Sequence, residues 1–128
     1  MLDLSRLEEQ RRRWVALSGH LSGVEVEIRH VGPKEQEKFR QKMVRLGILK
    51  QTEAGHSING GRAEDFFRAY AENYITDWRG DIKPEGTAYS AEAMGRVLGA
   101  YTVAFEKVTK ALSEEADFFF GNGSASTG

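Results

Sequence analysis

Between residues 62 and 112 apolar side chains recur every three or four positions, in two stretches. Ala63, Phe66, Phe67, Tyr70, Ala71, Tyr74, Ile75 and Trp78 form the first stretch, and Met94, Val97, Leu98, Tyr101, Ala104, Phe105, Val108 and Leu112 the second. That spacing gathers each set on one side of a 3.6-residue helix. It predicts helices over 62–78 and 90–112. Glu64 and Asp65 suit the first turn of one, and Ser90 with Glu92 makes a good N-cap and first turn for the other. Phe66, Tyr70, Tyr74 and Trp78, with Leu98, Tyr101 and Phe105, are expected to form the structural core.

Upstream the period changes. Val24-Glu25-Val26-Glu27-Ile28-Arg29 alternates apolar and charged residues, placing Val24, Val26 and Ile28 on one face of a strand. Arg12 to Leu17 reads as a second strand, and His20 to Gly23 as the turn of an antiparallel hairpin. A lone hairpin is marginal in water, so its apolar face must lie on helices or on another chain. Residues 3–10 could form a short helical turn. Gly32-Pro33 opens a helix over 33–46 with Phe39, Met43 and Leu46 as its apolar stripe and Gly47 as its stop. Lys34, Lys38, Lys42 and Arg45 run along a basic side of that helix.

Residues 51–61 are polar and glycine-rich and read as a loop, with Asn59-Gly60-Gly61 turning into the next helix. The expected class is α+β, mostly α: an N-terminal β-hairpin on or beside a bundle of three main helices. Residues 1–120 make one domain, and 121–128 have the composition of a flexible linker.

Composition and charge narrow the function classes. A chain of 128 residues can bury a core without a metal or disulfide staple. There is no cysteine, which removes thiolate chemistry. No apolar run is long enough to span a bilayer, and the N-terminus lacks the apolar core of a signal peptide. Net charge is −1, unevenly spread: residues 1–50 carry 11 basic and 7 acidic side chains, the remainder 7 and 12. Nucleic-acid binders usually carry a larger basic surplus. Opposite charge in the two halves instead permits head-to-tail self-association.

No constellation for catalysis or metal binding is evident. His20, His30 and His56 lack the spacing of a ligand set. Arg11-Arg12-Arg13 adjoins Glu8 and Glu9 and reads as a solvated cluster. Asp77 and Asp81 flank Arg79 and read as a capping network at a helix end. That reading also covers Arg79-Gly80-Asp81, which matches an adhesive tripeptide. Asn122-Gly123-Ser124 matches a glycosylation sequon without a secretory signal beside it. Phe118-Phe119-Phe120 suits either internal packing or partner docking.

The order of elements resembles a family. A strand hairpin precedes Val31-Gly32-Pro33-Lys34-Glu35 opening a charged helix. Ile75-Thr76-Asp77-Trp78-Arg79-Gly80 then leads through a Gly/Pro connection to Tyr89-Ser90-Ala91-Glu92-Ala93-Met94. Over residues 12–115 this resembles the tail assembly chaperones of long-tailed bacteriophages and prophages. The resemblance implies a non-enzymatic, cofactor-free factor of the host bacterial cytoplasm, absent from the finished virion. It would bind the tape measure protein, keep it soluble and promote tail tube assembly. It implies a longer frameshifted form that recruits the tail tube subunit, and the three phenylalanine codons could be the slippery run. Partner contacts are expected at Lys34, Lys38, Lys42 and Arg45 and at Phe118, Phe119 and Phe120, and a homo-oligomeric ring or spiral is conceivable. Two other classes stay open: a virion structural protein of the tail-completion or connector type, and a small nucleic-acid-binding regulator.

Overall fold

A computed structural model describes residues 12–120, with side chains through residue 114. In chain order the elements are β1 (Arg12–Ala16), β2 (Val24–Arg29), α1 (Pro33–Arg45), β3 (Leu49–Thr52), β4 (Gly55–Ile58), α2 (Ala63–Tyr74), β5 (Ile75–Gly80), α3 (Ala91–Ala100) and α4 (Thr102–Phe120). Short 3-10 turns sit at Gly19–Leu21 and Gly60–Arg62. The class is α+β, with four α-helices among the described residues rather than three.

The expected N-terminal hairpin forms and gains a third strand. The sheet order is β1-β2-β5, antiparallel throughout. Val15 pairs with Val26, and Val26 with Trp78, so one face is apolar across all three strands. Helices α2 and α4 contact this sheet, and Val15, Val26 and Ile28 are buried. The other face carries Trp14, Glu25, Glu27 and Arg79, as befits an antiparallel sheet open to water on one side. There the Arg79 guanidinium lies 4.0 Å from the Trp14 ring centre, and its Nε is 2.8 Å from Glu25 Oε1.

Strand β5 corrects the expected helix over 62–78. That helix ends at Tyr74, and Ile75 already has extended angles, φ −118° and ψ 133°. Ile75 and Thr76 are β-branched and Trp78 is aromatic, the types that suit a pleated surface. The register explains the helix-like pattern. Asp77 pairs with Glu27 and Ile75 with Ile28, leaving Thr76 as the extra residue of a bulge. In a regular strand Ile75 and Trp78 would face opposite ways. With the bulge, both lie opposite core residues, and their three-residue spacing imitates a helix.

The expected helix over 90–112 is also two helices. Ser90 does cap the first, accepting a hydrogen bond from the Ala93 N–H at 3.1 Å. The joint is Tyr101, at φ −124° and ψ 99°. Its N–H closes α3 by donating to the Val97 carbonyl, and its own carbonyl opens α4 by accepting from the Ala104 N–H. The bend turns Tyr101 outward. It is 40% exposed and not the core residue its spacing suggests. Nor is Trp78 fully enclosed: it is half-buried, edge-on to Tyr89, with its indole N–H donating to the Thr87 carbonyl at 3.2 Å.

Residues 51–61 are not simply a loop. Strands β3 and β4 form a hairpin with Leu49 opposite Ile58 at its base. Residues 50–57 are all exposed, so only that base pair meets the core. Asn59 fastens the stem, its N–H donating to the Ile48 carbonyl and its side-chain amide to the Gly47 carbonyl.

Helices α2, α3 and α4 supply most of the remaining core. Phe66, Tyr70, Tyr74 and Leu98 are buried as expected, and Phe105 is half-buried against them. Aromatic rings connect the helices: Phe105 lies 5.1 Å from Tyr70, Tyr70 4.7 Å from Tyr74, and Tyr74 5.5 Å from Phe39 of α1. Such contacts each add about 0.5–1.5 kcal/mol beyond their area.

Candidate docking groove

Helix α1 starts where its sequence directs. Pro33 occupies the first turn after Gly32, and Gln36 donates its backbone N–H to the Gly32 carbonyl and its side-chain amide to the Val31 carbonyl. Its end is fixed by Gly47 at φ +76°, a conformation that favours glycine. Between these stops, Met43 is buried and Phe39 half-buried, both on the side facing the core.

That seating leaves a groove of about 340 Å³ between α1 and the C-terminal half of α2. Phe39, Met43 and Ala69 give it an apolar lining. Glu35, Lys38 and Lys42 line it from α1, and Glu72 and Asn73 from α2. Two of the four basic residues singled out in the sequence therefore border the groove, while Lys34 and Arg45 lie outside its lining. All four are exposed. Lys38 pairs with Glu35 at 3.5 Å, a solvent-exposed contact that contributes little. Lys34, Lys42 and Arg45 form no ion pair among the described residues.

A second cleft, of about 440 Å³, lies where α2 meets α3. Its character differs. Arg62 Nε is 2.6 Å from Asp65 Oδ2, Arg68 reaches the same carboxylate at 3.9 Å, and Arg96 pairs with Glu92 at 3.1 Å. The hydrogen bond from Arg62, aided by the charge of both arginines, holds the Asp65 carboxyl below the usual carboxylate range. Gly95 and Gly99 line this cleft beside Phe67.

Burial pushes the phenols of Tyr70, Tyr74 and Tyr89 upward, away from physiological pH, so they stay neutral. Among the described residues no three His, Asp or Glu side chains cluster as metal ligands. His30 is buried at 2% exposure, whereas His20 and His56 are exposed. No helix among the described residues is long and apolar enough to cross a membrane.

The remaining sequence candidates fall elsewhere. Phe118, Phe119 and Phe120 belong to the last turns of α4, but their side chains lie outside the described residues, as does the linker-like segment 121–128. Arg79-Gly80-Asp81 closes a strand and not a helix. Arg79 is engaged with Trp14 and Glu25, and the Asp81 N–H donates to the Gly23 carbonyl. Sequence reasoning missed Ala69, Glu72 and Asn73 as the facing wall of the groove. Their positions opposite the basic helix follow from tertiary packing, for which one chain carries no local signal. Comparison with known protein families, with curated proteins and with solved structures finds no match.

Proposed function

We propose that this protein is an assembly chaperone for long-tailed bacteriophages, binding an apolar helical segment of the tape measure protein and keeping it soluble while the tail tube assembles. The observation that carries this reading is the α1–α2 groove: apolar residues Phe39, Met43 and Ala69, with Lys38 and Lys42 beside them and Glu35 and Glu72 completing a mixed-charge rim. Such a groove suits an amphipathic helix whose apolar residues enter it and whose acidic residues meet the lysines. Lys42 loses no internal ion pair when it does so, and Lys38 exchanges only its solvent-exposed contact with Glu35. The order of elements that resembles tail assembly chaperones gives the client its identity.

Co-expression with the tape measure protein tests the reading. The client is expected to be soluble and to co-elute with the chain. Lys38→Glu with Lys42→Glu should weaken the complex about tenfold or more while leaving the free chain folded, since both side chains are exposed. A client equally soluble without the chain, with no complex on gel filtration, would rule the function out.

A further inference from the structure

The helical period of the chain and the bend between α3 and α4 disagree at one residue. From Met94 the apolar positions continue through Leu98, Tyr101, Phe105, Val108 and Leu112, in steps of four, three, four, three and four. One unbroken helix would put them all on one side. Met94, Leu98 and Val108 are buried, and Phe105 and Leu112 are half-buried against the core. Tyr101 departs from the set, 40% exposed, with Val103 close by at 42%. Its aromatic neighbour is the exposed ring of His20, 6.4 Å away.

Nothing in the local chemistry requires the break. The joint is a single residue, and Ala100, Tyr101 and Thr102 include neither glycine nor proline. The backbone bonds that span it run from the Tyr101 N–H to Val97, and from the Ala104 and Phe105 N–H groups to Tyr101. The N–H groups of Thr102 and Val103, which a continuous helix would direct to the Leu98 and Gly99 carbonyls, make no bond across the joint. What holds the bend is therefore tertiary. Ala104, Val108 and Ala111 of α4 are buried, and α4 contacts β1 and β2. Phe105 lies 5.2 Å from Phe67 and 5.1 Å from Tyr70 of α2.

We propose that two copies of this chain exchange α4 across a straightened joint at Tyr101, each α4 packing on the sheet and α2 of the other copy. Straightened, residues 91–112 form one rod of about 33 Å, and α4 leaves its own sheet. The surface it uncovers is matched in shape by the α4 of a second copy, so every contact is remade in kind. The balance is then decided at the joint. The straight form gains the Thr102 and Val103 hydrogen bonds, and the bent form avoids the entropy lost when two chains associate. Concentration shifts the balance toward the exchanged dimer. The α1–α2 groove contains no residue of α4, so each half of the dimer keeps its own groove. The exchange does not depend on the function proposed above.

Full-length chain refolded from urea at rising concentration is expected to give a growing dimer fraction by gel filtration with light scattering. Thr102→Pro holds the bend. Proline suits the first helical position, and the residue before it favours the extended angles that Tyr101 already has. Inside a continuous helix the same proline is strongly disfavoured, so the dimer fraction should fall about tenfold or more while the monomer stays folded. A cross-link separates exchange from side-by-side pairing. Phe67→Cys with Phe105→Cys is placed in the chain, which has no cysteine of its own, and the isolated dimer is treated with a short bismaleimide. Exchange joins α2 of one copy to α4 of the other and gives covalent dimers on a denaturing gel. If Thr102→Pro does not fold, the cross-link decides. Monomer at every refolding concentration, an undiminished dimer in folded Thr102→Pro, or cross-links confined within single chains would each overturn the proposal. These measurements use the chain alone, so their failure and a failure of client binding are separate results.

Discussion

Helix α2 is flanked by two seams that differ in kind. Against α3 it makes the most extensive helix–helix contact among the described elements. There a Cβ added at Gly95 would stand 2.9 Å from the Arg68 Cα and backbone nitrogen, closer than real Cβ atoms come. Against α1 the spacer is the ring of Phe39, and a groove remains. The charges follow the same division. Beside α3, Arg62, Arg68 and Arg96 are matched to Asp65 and Glu92, whereas beside α1, Lys42 has no such partner. The lesson is that cavity size alone does not identify a docking site. The α3 cleft is larger, but its rim charges already satisfy one another.

The largest effect should come from emptying the closed seam. Leu98 is 1% exposed, and Leu98→Ala should destabilise the chain by about 2–5 kcal/mol in urea unfolding. The neighbouring Tyr101→Ala, at a residue 40% exposed, should cost far less, and equal costs would break the assignment of the α3–α4 joint. Overfilling the seam comes next. Gly95→Ala should cost about 1–3 kcal/mol because backbone, not a flexible side chain, stands in the way.

A smaller effect is expected at high pH. Burial raises the Tyr70 pKa above its ordinary 10.0. A raised folded-state pKa means the associated stability is complete below the unfolded value and declines as pH rises beyond it. The protein should thus lose stability above about pH 10, and Tyr70→Phe should shift that loss upward in a pH series of denaturation midpoints. Smallest of all, Lys42→Glu on the open seam should change stability by no more than about 0.5 kcal/mol. A larger loss would show that Lys42 supports the fold and is not held free for a partner.

Much of the framework was legible in the sequence because period and punctuation agreed. The alternation of Val24 to Arg29 set the central strand, Pro33 and Gly47 bounded α1, and Ser90 marked the start of α3. Where they disagreed, the reading failed for physical reasons. The bulge at Thr76 gave a strand the three-residue spacing of a helix. Tyr101 broke a helix with neither glycine nor proline at the joint. The β3–β4 hairpin has no alternating face because nothing packs on its arm beyond Leu49 and Ile58. Half of the groove was visible as the basic side of α1. The other half was hidden because Ala69, Glu72 and Asn73 acquire their role only when α2 lies beside that helix.

No loop separates α2 from β5. Tyr74 ends the helix and Ile75 begins the strand, which is laddered to β2. One wall of the groove is thus a strut packed along α3, with its foot set in the sheet. Swinging α2 outward to admit a bulky occupant would wrench that foot from its hydrogen bonds. The opposite wall hangs between Gly32 and Gly47, with backbone joints at both ends. Widening of the groove is therefore expected to fall on α1, at the expense of the buried Met43, and the lysines would travel with it.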